Sequence, residues 1–178
     1  MVFKENPFSF DDRVVLITGG TSGIGRAMVD AFADAGAHVA IASRSPDTGA
    51  EVVAAVEEAG GSAMFFQTDV SIPEEIHALV EAVVETHGRI DVAINNAAST
   101  DGAGMPTHAF DVETFDRSID TNLRSVWAGM KYQIQQMLAQ DPAGGAIINV
   151  SSVNGLGGAK GGSIYSACKA GVLGLTKS

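Results

Sequence analysis

The sequence predicts an α/β fold in which a doubly wound parallel sheet lies between two layers of helices, and three observations support this. Five short runs rich in β-branched residues alternate with longer stretches of helical periodicity. The runs are continuously apolar, which is typical of parallel strands that helices cover on both faces. The 178 residues contain neither an internal repeat nor a convincing linker, so we expect residues 1–178 to form a single domain.

The predicted elements follow one another in regular order along the chain. Turns rich in glycine, proline or serine separate the strands from the helices, and glycine ends the first three helices. The third helix is predicted to begin with a capping box of Ser71 and Glu74 around Pro73. The predicted strands cover residues 13–18, 37–43, 62–70, 90–95 and 145–150, and the predicted helices cover residues 25–36, 46–61, 72–87, 112–139 (one long helix or two joined) and 163–178.

Composition argues against several classes of function. The formal net charge is −10, so the chain has little basic surface with which to neutralise nucleic acid phosphates. No apolar run approaches the roughly eighteen residues of a membrane span, and the N-terminal MVFKENPFSFDD lacks the apolar core of a signal peptide. Cys168 is the only cysteine, and no Cys, His and Asp cluster has the spacing of a metal site. We therefore expect a cytoplasmic protein without a nucleic acid, membrane or metal partner.

The segment TGGTSGIG, residues 18–25, joins the first predicted strand to the first predicted helix. Gly19 permits a tight turn, Gly23 lets the backbone approach a pyrophosphate, and Gly25 lets the helix pack close to the sheet. The free N–H groups at the start of the helix would then face the phosphates. A glycine triplet alone can be a simple turn, but its place in the first βαβ unit indicates a Rossmann fold that binds a dinucleotide.

The end of the second predicted strand bears on the choice of cofactor. An acid at this place would bind the adenosine ribose of NAD, whereas a basic residue would bind the extra phosphate of NADP. The sequence has Ser43 and Arg44 here and no carboxylate before Asp47. Arginine can bind a phosphate with two parallel hydrogen bonds, so we expect NADP(H) to be favoured over NAD(H), although arginines at strand ends are often simply solvated.

Tyr165 and Lys169 are four residues apart in a predicted helix, so they share one face of it. A nearby ammonium, and more so a nicotinamide cation, favours the phenolate form of a tyrosine and makes it a usable general acid and base near neutral pH. Ser152 follows the fifth strand and reaches the same edge of the sheet, where its hydroxyl could hold a substrate oxygen. Combined with the glycine turn, these positions predict an oxidoreductase that moves a hydride between nicotinamide and the carbon of a small carbonyl compound or secondary alcohol.

These motifs resemble those of the short-chain dehydrogenase/reductase family, in its branch with the compact TGxxxGxG fingerprint, and the match covers almost all of the chain. Residues 18–25 match the cofactor turn of the family, and Asp69 with Val70 matches the position after the third strand that contacts adenine. Residues 95–98, NNAA, match the Asn-Asn-Ala-Gly motif of the family, with Ala98 in place of glycine.

The resemblance also implies a role for each matched residue. Tyr165 would be the general acid and base, Lys169 would bind the nicotinamide ribose and tune the tyrosine, and Ser152 would position the carbonyl. Asn122 would hold a water in the proton relay. The residues implied to contact the cofactor lie in the glycine turn, at strand ends and in the last helix, and are Gly19, Thr21, Ser22, Gly23, Ile24, Gly25, Ser43, Arg44, Asp69, Val70, Asn96, Ala97, Ala98, Tyr165 and Lys169.

The resemblance further implies a homo-oligomer, because helices near residues 120–139 and 163–178 form a subunit interface in the family. Family members usually continue with a further strand, a substrate lid and a last strand, so we expect the chain to be incomplete at its C-terminal end. A site without a lid excludes water poorly, which leaves a second hypothesis open, a dinucleotide-binding fragment without catalysis. Nucleotide-sugar epimerases have a similar Tyr and Lys pair but a different glycine spacing, so this third hypothesis is ranked last.

Overall fold

A computed structural model describes residues 9–178, and within this range five strands form one sheet in the order β3-β2-β1-β4-β5. All four pairs of neighbouring strands are parallel. The first strand, β1, lies at the centre of the sheet. From there the chain moves outward to β3 and then returns to β4 on the other side of β1, which is the predicted doubly wound arrangement. The strands are β1 (Val14–Thr18), β2 (His38–Ser43), β3 (Ser62–Gln67), β4 (Val92–Asn95) and β5 (Ala146–Asn149).

Helices connect successive strands, as the alternating pattern predicts. The stretch predicted as one long helix or two joined helices is two helices separated by a π-helical turn, Asp120–Arg124. A short 3-10 turn, Thr107–Ala109, precedes them. The α-helices are α1 (Gly23–Asp34), α2 (Pro46–Glu58), α3 (Pro73–His87), α4 (Val112–Ile119), α5 (Ser125–Ala139), α6 (Asn154–Gly157) and α7 (Ser163–Lys177).

The central strand β1 is buried on both of its faces. Val14 and Leu16 pack in one apolar cluster with residues of α3 and α5, whereas Val15 and Ile17 pack in another with residues of α1 and α2. Since successive side chains of a strand point to opposite faces, the two clusters are two layers of core on either side of the sheet. The predicted order of helix, sheet and helix layers is thereby confirmed.

The two edge strands are less covered than their apolar sequences predict. Met64 of β3 is 40% exposed and Ile148 of β5 is 46% exposed. An edge strand contacts a neighbouring strand on one side only and packs against fewer helices than a central one. A continuously apolar run is therefore not sufficient to predict burial on both faces.

The capping box predicted for α3 is wrong, because the turn after β3 uses its residues differently. No side chain caps the helix, which begins after Ile72. The hydroxyl of Ser71 donates to Oδ1 of Asp69 at 2.7 Å, and Oε2 of Glu75 accepts a hydrogen bond from the backbone N–H of Asp69, also at 2.7 Å. This turn also ends β3 at Gln67 rather than at residue 70.

The glycine turn between β1 and α1 is packed against backbone on two sides. A Cβ atom at Gly25 would lie 2.0 Å from the carbonyl oxygen of Gly19, and one at Gly19 would lie 2.9 Å from Cα of Ala97. Gly19 also has a φ of +68°, in the left-handed region that favours glycine. The start of α1 thus lies directly on the turn, and the turn lies directly on the loop that follows β4.

We predict that Gly25→Ala lowers the free energy of unfolding by about 3 kcal/mol, because the new methyl group meets backbone that cannot move aside without shifting the helix. Gly174→Ala is the matched control, since Gly174 lies in α7 and a Cβ there has nothing within 4 Å. The control should be neutral or stabilising by up to about 1 kcal/mol through helix propensity. Urea unfolding followed by circular dichroism compares the two, and equal midpoints would contradict the close packing of the turn.

Candidate active site

A cleft with a volume of about 980 Å³ lies at the carboxyl edge of the sheet. The residues after all five strands contribute to its walls, because the carboxyl ends of parallel strands meet at one edge. This volume is at the upper end of the range for small-molecule sites, roughly 300–1,000 Å³. The predicted residues that line it are Gly19, Thr21, Ser22, Ile24, Gly25, Ser43, Arg44, Asp69, Val70, Asn96, Ala97, Ala98, Ser152, Tyr165 and Lys169.

Two residues of the predicted set, Gly23 and Asn122, do not line the cleft. Gly23 belongs to the glycine turn, and its φ of +53° requires the left-handed conformation, so its part in the turn is conformational. Asn122 is completely buried in the π-helical turn, where Oδ1 accepts a hydrogen bond from the backbone N–H of Ser99 and Nδ2 donates to the carbonyl oxygen of Ser118, both at 3.0 Å. Its side chain therefore holds the loop after β4 from behind.

The first turn of α1 presents backbone N–H groups to the cleft. Ser22 stands at the N-cap position with extended backbone, yet its side chain makes no capping hydrogen bond, and the first turn of the helix contains no acidic residue. The first N–H groups of a helix lack partners within the helix. Together with the positive end of the helix dipole, they form a site suited to an anion such as a phosphate.

The loop after β4 is tied to the glycine turn by Asn96 and Thr18. Oγ1 of Thr18 accepts hydrogen bonds from the backbone N–H groups of Asn96 and Ala97, at 3.0 and 3.2 Å. Nδ2 of Asn96 donates to the carbonyl oxygens of Thr18 and Gly19, at 2.9 and 3.2 Å. The two walls of the cleft therefore keep a fixed separation at this point.

The end of β2 presents a serine and an arginine to the cleft. Oγ of Ser43 is buried and has no hydrogen-bond partner among residues 9–178. Arg44 is exposed, and within the same described range it forms no salt bridge. A buried hydroxyl without a partner is costly, and because Ser43 and Arg44 both line the cleft, this end of it suits a polar ligand group.

The net charge of the side chains that line the cleft is zero when Lys169 is protonated. Because the charges cancel, a bound anion would depend on local donors such as the first turn of α1 and Arg44 rather than on the field of the whole cleft. The cationic residues are Arg44, Arg117 and Lys169, and the anionic residues are Asp69, Asp101 and Asp120.

Lys169 is the largest of the most deeply buried side chains described, with 2% of its surface exposed. Its Nζ donates a hydrogen bond to the carbonyl oxygen of Val150 at 2.7 Å. Burial lowers the pKa of Lys169 below its usual 10.5, and an ionised Cys168 would act in the opposite direction. An ammonium has three donors, so two remain for a ligand in the cleft.

Tyr165 stands one helical turn before this lysine on α7, and the lysine Nζ lies 5.8 Å from the centre of the tyrosine ring. Among residues 9–178 the phenolic hydroxyl forms no hydrogen bond, so it is free to bind a ligand. Oγ of Ser152 accepts a hydrogen bond from the backbone N–H of Asn154 at 3.2 Å, which leaves its own proton to donate. The phenol, the ammonium and the serine hydroxyl therefore line the same cleft, as the sequence predicts.

Sequence reasoning missed the part of the wall that α4 and the π-helical turn form next to α7, and it missed the partner of the lysine. Arg117, Asp120 and Thr121 line the cleft from α4 and the π-helical turn. Their proximity to Asn122 in the sequence could have indicated them, but the irregular turn that contains Asp120 and Thr121 has no recognisable pattern in the sequence. The role of the Val150 carbonyl could not be predicted either, because residue types do not indicate which backbone carbonyl accepts a hydrogen bond.

The sequence also raised the questions of a reactive cysteine, a metal site and a membrane-spanning helix. Cys168 is buried, its Sγ lies 3.7 Å from the carbonyl oxygen of Ser118, and burial raises the pKa of its thiol, so it is a packed helix residue. No cluster of three or more His, Cys, Asp or Glu side chains within residues 9–178 could hold a metal ion. None of the helices described is long and apolar enough to cross a membrane.

Comparison with known proteins gives consistent matches. The family model for short chain dehydrogenase matches residues 13–178. A 3beta-hydroxysteroid dehydrogenase of Mediterraneibacter gnavus is 41% identical over 169 residues, which are 95% of this chain and 60% of that protein. This chain therefore spans about three-fifths of that relative's length.

Solved structures share the fold as well as the sequence. An NAD+-bound xylitol dehydrogenase superposes with a TM-score of 0.88 at 28% identity, covering 94% of this chain and 64% of that one. A variant of actinorhodin polyketide ketoreductase, whose crystal structure is with NADPH, superposes with a TM-score of 0.87 at 34% identity, covering 93% of this chain and 62% of that one. Since one family model matches nearly all of the described residues and both sequence and sheet agree with those of its members, the chain belongs to the short-chain dehydrogenase/reductase family.

Proposed function

We propose that this chain is the dinucleotide-binding and catalytic part of an oxidoreductase that acts on a small carbonyl compound or secondary alcohol. The observation that carries the proposal is a single cleft with the glycine turn at one side and Tyr165, Lys169 and Ser152 at another. Structural neighbours with NAD+ and with NADPH support a nicotinamide cofactor. Relatives named as dehydrogenases and reductases favour a catalytic chain over a fragment that only binds dinucleotide.

The residues of the cleft fit such a cofactor. The uncapped first turn of α1 supplies N–H groups for the pyrophosphate, and the close contact between Gly25 and Gly19 leaves no side chain in the way. The unpartnered hydroxyl of Ser43 lies where the adenosine end would bind, with Asp69 on the neighbouring strand end. Lys169 has two free donors for the hydroxyl groups of a ribose.

When bound, nicotinamide supplies or accepts the hydride at the substrate carbon. Tyr165 donates a proton to the substrate oxygen during reduction and removes it during oxidation. Ser152 donates a hydrogen bond to the same oxygen and holds it beside the phenol. Lys169 favours the phenolate through its positive charge, while Asn122 holds the loop around Ser99 in place. We propose reduction with NADPH as the favoured direction.

Tyr165→Phe should lower kcat by about 10²- to 10⁴-fold, because the proton donor is lost while the ring remains. The dissociation constant for the cofactor should change little. Tyr132→Phe is the matched control, since Tyr132 is the other tyrosine of the chain and stacks on His77 outside the cleft. Turnover is measured as NADPH oxidation with a panel of ketones, and a Tyr165→Phe protein as active as the control would refute the assigned role.

NADP(H) is the proposed cofactor because Arg44 and Ser43 provide donors at the end of β2. The side chain of Arg44 is exposed and unpaired among the described residues, and no carboxylate lies beside it at this strand end. A guanidinium can bind the 2′-phosphate through two hydrogen bonds. A carboxylate at the same place would repel that phosphate and favour NAD(H).

Arg44→Ala should raise the dissociation constant for NADPH by about 10- to 100-fold, the loss expected for hydrogen bonds to a charged group. The dissociation constant for NADH should stay within about threefold, since NADH lacks the phosphate. Arg26→Ala provides the control, because Arg26 pairs with Asp30 on α1 and does not line the cleft. Quenching of protein fluorescence gives both constants, and an equal loss for both dinucleotides would contradict the assignment of Arg44.

A second copy of the chain is the proposed partner, through the helices near residues 120–139 and 163–178. On α5, Trp127, Ile134 and Leu138 are 49%, 42% and 72% exposed and share one face of the helix. Lys131, on the same face, places its Nζ 5.7 Å from the centre of the Trp127 ring. Burial of such a stripe in a dimer removes apolar surface from water.

Leu138→Glu should convert the oligomer to a smaller species, because it places a charge in the proposed interface. Met64→Glu is the control, since Met64 is also partly exposed but lies on β3 at the far edge of the sheet. Sedimentation equilibrium measures the mass of each species. A wild-type protein that is monomeric at about 100 µM would overturn this proposal, because association is favoured by protomer concentration.

A further inference from the structure

A buried pair of amides lies behind the cleft. Asn95, the last residue of β4, and Gln133, in the middle of α5, are 5% and 1% exposed. Nδ2 of Asn95 donates to Oε1 of Gln133 at 3.0 Å, and Nε2 of Gln133 donates back to Oδ1 of Asn95 at 2.8 Å. Both hydrogen bonds are made away from water, so each side chain leaves a costly unpaired group if its partner is removed.

The pair continues into a chain of hydrogen bonds that joins two strands and two helices. Nδ2 of Asn95 also donates to Oδ1 of Asn149 on β5 at 2.9 Å, and Nδ2 of Asn149 donates to Oγ1 of Thr176 on α7 at 3.0 Å. We call Asn95, Gln133, Asn149 and Thr176 the amide ladder. Gly129 makes room for it, because a Cβ at that position would lie 2.6 Å from Oδ1 of Asn95.

The amide ladder is one residue away from two groups that shape the cleft. Asn95 directly precedes Asn96, whose side chain holds the carbonyl groups of Thr18 and Gly19. The carbonyl oxygen of Asn95 accepts a hydrogen bond from the backbone N–H of Val150 at 3.0 Å, and the Val150 carbonyl anchors Lys169. A shift of Asn95 would therefore move both the glycine turn and the lysine.

A second buried glutamine, directly after the end of α5, separates this role from simple support of the fold. Gln140 is 8% exposed and pairs with both backbone groups of Ile90, at 3.1 and 3.0 Å, and with the carbonyl oxygen of Gly144. Ile90 lies before β4, at the end of the strand opposite to the cleft. Gln140 and Gln133 thus fix the two ends of the same strand with comparable hydrogen bonds.

We propose that Gln133 is a positioning residue for the cofactor site, holding Asn95 so that Asn96 and the Val150 carbonyl fix the glycine turn and Lys169. The inference rests on the proposed function, in which a nicotinamide dinucleotide occupies this cleft. Gln133 does not itself touch the cleft. It acts through the strand end, and its loss changes affinity for the dinucleotide as well as stability.

The first test compares Gln133→Met with Gln140→Met in the full chain. Both variants keep an unbranched side chain and lose buried amide hydrogen bonds, so both should melt at a lower temperature than the wild type. Gln133→Met should weaken NADPH binding about tenfold, equivalent to about 1.4 kcal/mol, whereas Gln140→Met should leave it within about twofold. Titrations are made well below the lowest melting temperature, so that every variant is folded.

Gln133→Glu distinguishes the positioning role from a merely structural one, because the two roles predict different orders of NADPH affinity among the variants. Glutamate keeps the acceptor for Nδ2 of Asn95, but burying its charge costs more stability than methionine does. We therefore expect the glutamate variant to melt below the methionine variant and yet to bind NADPH more tightly than it. If affinity instead follows melting temperature across the three variants, Gln133 supports the fold only and the inference is wrong.

The remaining outcomes separate the two proposals. Wild-type protein that binds NADPH or NADH, together with equal losses of affinity in Gln133→Met and Gln140→Met, overturns the positioning role and leaves the proposed function intact. Wild-type protein that binds neither dinucleotide overturns the proposed function and the inference with it. Should Gln133→Met fail to fold, the inference is judged on Gln133→Asn, whose amide stays polar but is too short to keep both hydrogen bonds to Asn95, and its affinity must then lie below that of the wild type and of Gln140→Met.

Discussion

The parallel direction of the strands is the constraint on which the site depends. Each strand ends at the same edge of the sheet, so residues far apart in the sequence meet there without any long loop to carry them. Gly19 follows β1, Ser43 ends β2, and Ser152 comes shortly after β5, yet all three line one cleft. A single antiparallel strand in this set would have sent its following residues to the opposite edge.

Close backbone packing then fixes the shape of the cleft. The start of α1 contacts the carbonyl of Gly19, and the amide of Asn96 holds the same turn from the side of β4. On the far side, the buried ammonium of Lys169 is held by a strand-end carbonyl. Rigid walls of this kind hold catalytic groups in a fixed geometry, which is the usual basis for placing a cofactor and a substrate oxygen together.

The sequence allowed most of the fold to be predicted, because its apolar runs and glycine turns follow the geometry of strands and helices directly. It failed where a local competition decided the outcome, as when the carboxylate of Asp69 took the hydroxyl of Ser71 from its expected capping role. For the cleft, residue types predicted that Tyr165 and Lys169 would line it, but not that the carbonyl of Val150 would hold the lysine or that Gln133 would pair with Asn95. Backbone acceptors and second-layer amides have no characteristic spacing, so only coordinates reveal them.

The most direct test of this account is a crystal structure of the chain grown with NADPH. We expect a dinucleotide in the cleft, with its pyrophosphate over the N–H groups at the start of α1 and its nicotinamide ring beside Tyr165 and Lys169. Electron density for the dinucleotide at another surface, or a ring placed out of reach of the phenolic oxygen, would contradict the central claim that the strand ends assemble one catalytic site.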